Sequence, residues 1–233
     1  MKEKNKAVRL LFIGNSATYV HDVPETLAKL ATEAGYPTES VRITLGGYTL
    51  KQHADADTEH GREVLKLIAQ EFDHVFLQDN GSCVADKARR EACKMACVTL
   101  GEAIRNSGAK ARIYVRPPYG YEKYGLSPKA QCIEFDKLFS EIAKEIGAVC
   151  SYVNRAFAYA AEGCSLNLYG PDNAHTSPEG AYLIICTIFA SLYGVSSAVL
   201  GTNGIDAEAA KVIQKIADRI SLEGIVPWNA IYT

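Results

Sequence analysis

Five short apolar runs punctuate the chain, at residues 8–13, 41–45, 74–78, 111–115 and 149–153. The first three end in glycine or small polar residues, as buried parallel strands do at their carboxyl ends. Between them the apolar spacing turns helical. Leu27, Leu30, Ala31 and Ala34 form one face that Gly35 stops, and Val64, Leu65, Leu67 and Ile68 form the next. Ala92, Met95, Ala96, Thr99, Leu100, Ala103 and Ile104 make a long stripe closed by Gly108; Leu138, Phe139, Ile142 and Ile146 make another closed by Gly147. Helix starts are marked by Ser127-Pro128, by Ser177-Pro178, and by Asp22-Val23-Pro24-Glu25, where Asp22 is placed to cap and Glu25 stands three residues on. A shorter helix is expected around 157–161, and a final amphipathic one over 206–220. The segment from Tyr182 to Tyr193 is apolar almost all round, which predicts a buried helix ended by Gly194. The single tryptophan, Trp228, lies in the tail, with a place against the domain or a neighbour both open.

This strand–helix alternation predicts an α/β fold of three layers, α/β/α, around a five-stranded parallel sheet. Right-handed crossovers favour the flavodoxin-like order 2-1-3-4-5, which sets the end of the first strand beside the topological switch point. No linker, repeat or composition shift divides the 233 residues, so one domain over 1–233 is expected.

Composition narrows the function classes. A net charge of -2 leaves no basic footprint for nucleic acid. No apolar run reaches membrane-spanning length, so no membrane partner is expected. The charged start, residues 1–6, is followed by no signal-peptide h-region, and the seven cysteines are odd in number and mostly on apolar faces. Both features predict a cytoplasmic location. Cys93 and Cys97 share a helical face at i, i+4, but no further pair completes a metal set, so core packing is the reading there. His53, Asp55, Asp57 and His60 read as a solvated loop, and His74 as structural. No metal and no cofactor is expected.

The polar residues at the strand ends carry the chemistry. Ser16 follows the first strand in Gly14-Asn15-Ser16, Gly46-Gly47 follow the second, and Asn80 follows the third in Gln78-Asp79-Asn80-Gly81. Asp172 and His175 stand three apart in the loop before the buried helix. Each is weak alone: Gly-Gly and Asn-Gly are common turn pairs, and Asp172 could simply cap a turn. Together they supply a hydroxyl, an imidazole base, a carboxylate to orient it, and donors for an oxyanion, the set that acyl transfer needs.

Here the sequence resembles the SGNH (GDSL-type) hydrolase superfamily, whose signature is Ser, Gly, Asn and His in that order, with Asp three residues before His. The resemblance runs from the first strand to the penultimate helix. It implies a serine esterase in which His175, held by Asp172, activates Ser16. The oxyanion would then be met by the N–H groups of Ser16 and Gly47 and the amide of Asn80. Two departures stand out: Gly-Asp-Ser is Gly-Asn-Ser here, and Gly-x-Asn-Asp is reduced to Gln78-Asp79-Asn80-Gly81. The amide donor is therefore Asn80 or Gln78. The glycine is Gly47 or Gly46, with Gly47 preferred because Gly47-Tyr48-Thr49 matches the family's Gly-x-Thr. Tyr19, Tyr48, Gln78 and Tyr119 are the candidate substrate-binding residues, Tyr119 belonging to a loop that also carries Tyr121 and Tyr124. Tyrosines suit stacking on a sugar or lining an acyl pocket. The expected substrate is a small-molecule or glycan ester, with an O-acetyl group on a carbohydrate as the leading form. The competing reading is a non-catalytic module that holds a small molecule or anion at the helix after the first strand. The natural substrate, its regiochemistry and the oligomeric state are open, as is ester against thioester or phosphodiester.

Overall fold

The computed structural model describes residues 6–229. Its five strands are β1 (Val8–Gly14), β2 (Thr38–Thr44), β3 (His74–Leu77), β4 (Lys110–Tyr114) and β5 (Val149–Ser151). They pair in the order β2-β1-β3-β4-β5, every pair parallel. The strand order expected from the sequence is the one found. The helices, in chain order, are α1 (Ser16–Tyr19), α2 (Val23–Glu33), α3 (Leu50–His53), α4 (Glu59–Ile68), α5 (Lys87–Ser107), α6 (Pro128–Ile146), α7 (Val153–Gly163), α8 (Pro178–Tyr193) and α9 (Ala207–Ser221).

The two-residue period of a strand sorts β1 between two cores. Leu10 and Phe12 face one side with residues of α2, α7, α8 and α9, while Leu11 and Ile13 face the other with residues of α4, α5 and α6. Phe12 stacks on Phe76 of the neighbouring strand, ring centres 4.5 Å apart. Helix α8 is buried along nearly its whole length, as its all-round apolar sequence requires. Because every strand is parallel, the residues after β1, β2 and β3 emerge on one rim.

Several local expectations need correction. Asp22 makes no cap: it and His21 both lie in the left-handed region, at φ 49° and 60°, which turns the Asp22 carboxylate outward to Arg42 at 3.3 Å. The capping box forms instead at Thr49, with Gln52. β2 begins three residues before the apolar run, because as an edge strand it pairs from Thr38 opposite Val8. Val153 opens α7 and does not belong to β5. Trp228 sits half-buried in a single 3-10 turn (Pro227–Asn229) beside α7. Residues 1–5, which carry most of the charged N-terminal segment, lie outside the described residues. Among the described residues no helix is long and apolar enough to cross a membrane.

Candidate active site

Ser16 owes its position to three neighbours. Gly14 ends β1 where a Cβ would stand 2.6 Å from both Gln78 Oε1 and Thr18 Oγ1, so only glycine lets the strand turn there. Asn15 then caps α1, its Oδ1 accepting the Ala17 N–H at 3.1 Å, while its Nδ2 donates to the Tyr48 carbonyl at 2.9 Å. An aspartate could make the first bond but not the second. Tyr114 from β4 donates its hydroxyl to the Ala17 carbonyl at 3.0 Å, beneath Ser16.

Residues 45–48 make a turn closed by Tyr48 N–H to the Leu45 carbonyl at 3.2 Å. Gly47 holds its third position at φ 73°, which a side chain would strain. The Gly47 carbonyl accepts from Asn80 Nδ2 at 2.8 Å, and Asn80 Oδ1 accepts the Ser82 N–H at 3.0 Å, so both ends of the Asn80 amide are fixed. One Nδ2 hydrogen remains after the bond to Gly47. Among the described residues no acceptor takes the N–H of Ser16 or of Gly47.

The loop before α8 closes the arrangement. Residues Tyr169 and Thr176 bridge in antiparallel fashion, and between them Asp172 Oδ1 accepts the N–H groups of Ala174 at 2.9 Å and His175 at 3.0 Å. His175 Nδ1 lies 2.6 Å from Asp172 Oδ2, and His175 Nε2 lies 3.0 Å from Ser16 Oγ, across 159 residues of chain. A carboxylate can only accept, so Nδ1 carries the hydrogen and Nε2 is left to accept from the serine hydroxyl. The His175 backbone N–H, its ring and the Ala174 N–H together hold the Asp172 carboxyl well below the ordinary carboxylate range. His21 ties the loop to the β1 side, its Nε2 donating to the Thr176 carbonyl at 2.8 Å. At the base of the loop, a Cβ on Gly180 would stand 2.1 Å from the Leu168 carbonyl oxygen. Gly180→Ala is therefore expected to cost about 3 kcal/mol of stability, read as a lower urea midpoint with an unchanged m-value.

The sequence-predicted residues thus separate into two groups. Ser16, Gly47, Asn80, Asp172 and His175 converge on one rim. Gln78 does not join them: it is buried, its Oε1 accepts from the Asn15 N–H at 3.0 Å and Thr18 Oγ1 at 2.9 Å, and its amide donates to the Asp79 carbonyl. Gly46 approaches the Tyr19 hydroxyl instead of Asn80. Tyr19 is half-buried with the Arg42 guanidinium 5.9 Å from its ring, and Tyr48 leans on the rings of His53 and His60. Tyr119 is only 8% exposed, its ring against Gly81 and flanked by Arg116 and Lys123. Burial opposes its ionisation, but the two cations outweigh burial and hold its hydroxyl below the ordinary value.

His53 is not part of a solvated loop. It is fully buried and donates from Nε2 to the Gly14 carbonyl at 2.9 Å, while its Nδ1 accepts from His60 at 2.8 Å. Burial first, then the neighbouring His60, lowers it to about 4, so it stays neutral and keeps these roles near neutral pH.

The geometry has counterparts among solved structures. No protein-family model and no curated protein matches the chain. A candidate SGNH hydrolase from Slackia heliotrinireducens is 27% identical, with a TM-score of 0.69 over 80% of this chain and 100% of that one. The chain has the fold of the SGNH hydrolases. A DUF4886 family protein from Bacteroides uniformis shares this SGNH fold at TM-score 0.80 and 17% identity, covering 94% of this chain and 96% of its own. A mutant of Axe2, an acetyl-xylooligosaccharide esterase from Geobacillus, shares it at TM-score 0.61 and 15% identity, with 81% and 96% covered.

Within the SGNH fold, four supporting residues escape a reading of the sequence: Asn15, His21, Asp79 and Tyr114. Asp79 Oδ1 accepts the N–H groups of Leu50 at 3.0 Å and Asn80 at 2.5 Å, which stitches the glycine turn's helix to the Asn80 loop. Asn15 and Asp79 each carry a sequence signal in standing next to a site residue, Ser16 and Asn80. His21 and Tyr114 act on segments remote in sequence, Thr176 and Ala17, and carry no such signal.

Proposed function

We propose that this chain is a serine ester hydrolase that works through a Ser16–His175–Asp172 triad and an acyl-enzyme. The observation that carries the proposal is the unbroken hydrogen-bonded line from Asp172 Oδ2 through His175 to Ser16 Oγ, at 2.6 and 3.0 Å. In the first step His175 Nε2 takes the Ser16 proton as Oγ attacks the ester carbonyl carbon. The tetrahedral oxyanion is received by the N–H groups of Ser16 and Gly47 and the remaining Nδ2 hydrogen of Asn80. His175 then protonates the departing alcohol. Water, deprotonated by the same nitrogen, releases the acid and restores Ser16.

An O-acetyl group on a carbohydrate is the substrate class we favour. Acetyl xylan esterases are among the structures that share the fold, and Tyr19 and Tyr48 stand close in sequence to Ser16 and Gly47, partly exposed, with rings of the kind that stack on a sugar. The test of the reaction class is labelling with a fluorophosphonate followed by peptide mass analysis. The expected adduct is on Ser16. A protein that binds without catalysis would leave Ser16 unmodified, and that result would retire the esterase reading.

Asn80→Ala removes one oxyanion donor while sparing the triad. The expected loss is about 10²- to 10³-fold in kcat on p-nitrophenyl acetate with KM little changed, because the interaction belongs to the transition state.

A further inference from the structure

A second cluster of reactive side chains lies beneath the Asn80 loop and takes no part in the proposed reaction. Asp79 follows β3, Cys83 lies in the 3-10 turn Gly81–Val84, and Cys93 lies on α5. All three are buried, and one carboxylate oxygen and the two sulfurs lie within 4.8 Å of one another. Two sulfurs and one oxygen from three different elements form a donor set for a thiophilic dication that prefers tetrahedral geometry.

Two further observations support this. A cavity of about 250 Å³ opens onto all three residues and is bordered by Thr49, Lys51 and Ser82, which gives an ion a path and a fourth ligand from solvent. The charge also balances. Arg116 is 4% exposed, has no carboxylate at ion-pair distance among the described residues, and acts electrostatically on both Asp79 and Cys83. Two thiolates, a carboxylate and a dication sum to one negative charge, which Arg116 offsets.

We propose that Asp79, Cys83 and Cys93 form a binding site for a thiophilic divalent cation such as Zn²⁺. On binding, two S–H bonds break, two sulfur–metal bonds form, and the two protons leave to solvent. The same Asp79 carboxylate holds the N–H groups of Leu50 and Asn80, so an ion drawn to it also pulls on the Asn80 loop. That consequence, slower hydrolysis by the loaded protein, rests on the esterase reading; the binding itself does not.

The test uses Cd²⁺ as the probe on the reduced, full-length protein. Thiolate-to-cadmium charge-transfer absorption is expected to saturate at one equivalent, with two protons released per ion. The Cys83→Ala and Cys93→Ala variants should each lose the saturating signal, and Cys164→Ser, a half-buried cysteine elsewhere, should keep it. Should either alanine variant fail to fold, the wild-type thermal midpoint decides, since an ion bound only to the native state raises it. Absence of both the absorption and the midpoint shift, or a signal unchanged in the Cys83→Ala and Cys93→Ala proteins, overturns the site. Cd²⁺ binding by a protein that fails to label at Ser16 would leave this site standing while removing the esterase.

Discussion

Ser16→Ala is expected to lower kcat on p-nitrophenyl acetate by about 10⁴- to 10⁶-fold, with fluorophosphonate labelling abolished. The loss is large because, in the proposed reaction, this hydroxyl is the nucleophile that the imidazole activates. His175 Nε2 at 3.0 Å is the hydroxyl's hydrogen-bond partner, so its removal disturbs nothing in either core. Stability should stay within about 0.5 kcal/mol of wild type. A variant that hydrolyses the ester at the wild-type rate would place the chemistry on another residue.

Asp172→Asn is expected to cost about 10⁴-fold in kcat. The side-chain oxygen of asparagine can still accept the N–H groups of Ala174 and His175. Its NH₂ group then faces His175 Nδ1, which forces the hydrogen onto Nε2, and an Nε2–H cannot take a proton from Ser16. The substitution keeps the loop's shape and removes the base. The pH dependence of the stability difference between the two proteins follows from the direction of the Asp172 shift. A carboxyl held below its ordinary value stabilises the fold fully above that value, about pH 4, and loses the contribution as pH falls toward the depressed one. The gap between wild type and Asp172→Asn in thermal midpoint should therefore be flat from neutral pH to about pH 4 and shrink below it. A gap that closes between pH 7 and 5 would show that Asp172 is not held in this way.

Most of the sheet and much of the site could be read from the chain because they depend on local patterns. Apolar runs that stop in Gly-Asn-Ser, Gly-Gly and Gln-Asp-Asn-Gly mark strand ends, and in a parallel sheet strand ends share a rim. Asp172 and His175 are separated by a single turn of backbone, so their pairing needs no distant contact. The failures have an equally local cause. Gln78 is one residue past its strand, where backbone direction no longer fixes whether a side chain turns to solvent or inward. Asn15 and Thr18 decide it, and they come from another strand's loop. His53 read as solvated because acidic residues follow it, whereas the orientation of α3 drives it under Gly14. Asp22 carries a good capping sequence, but the left-handed turn at His21 and Asp22, which lets His21 reach Thr176, points it elsewhere.

Sequence alone determined the number of strands, the strand ends at which Ser16, Gly46-Gly47 and Gln78-Asp79-Asn80 stand, and the three-residue spacing of Asp172 and His175. Those follow from hydrophobic period and turn chemistry, which act over a few residues. Tertiary structure alone decided that His175 meets Ser16, that Asn80 turns to Gly47 while Gln78 turns inward, and that Asp79 gathers two cysteines beneath them. Each of these is a contact of a few ångströms between segments remote in sequence, and a hydrogen bond forms or fails within tenths of an ångström that only the packed chain sets.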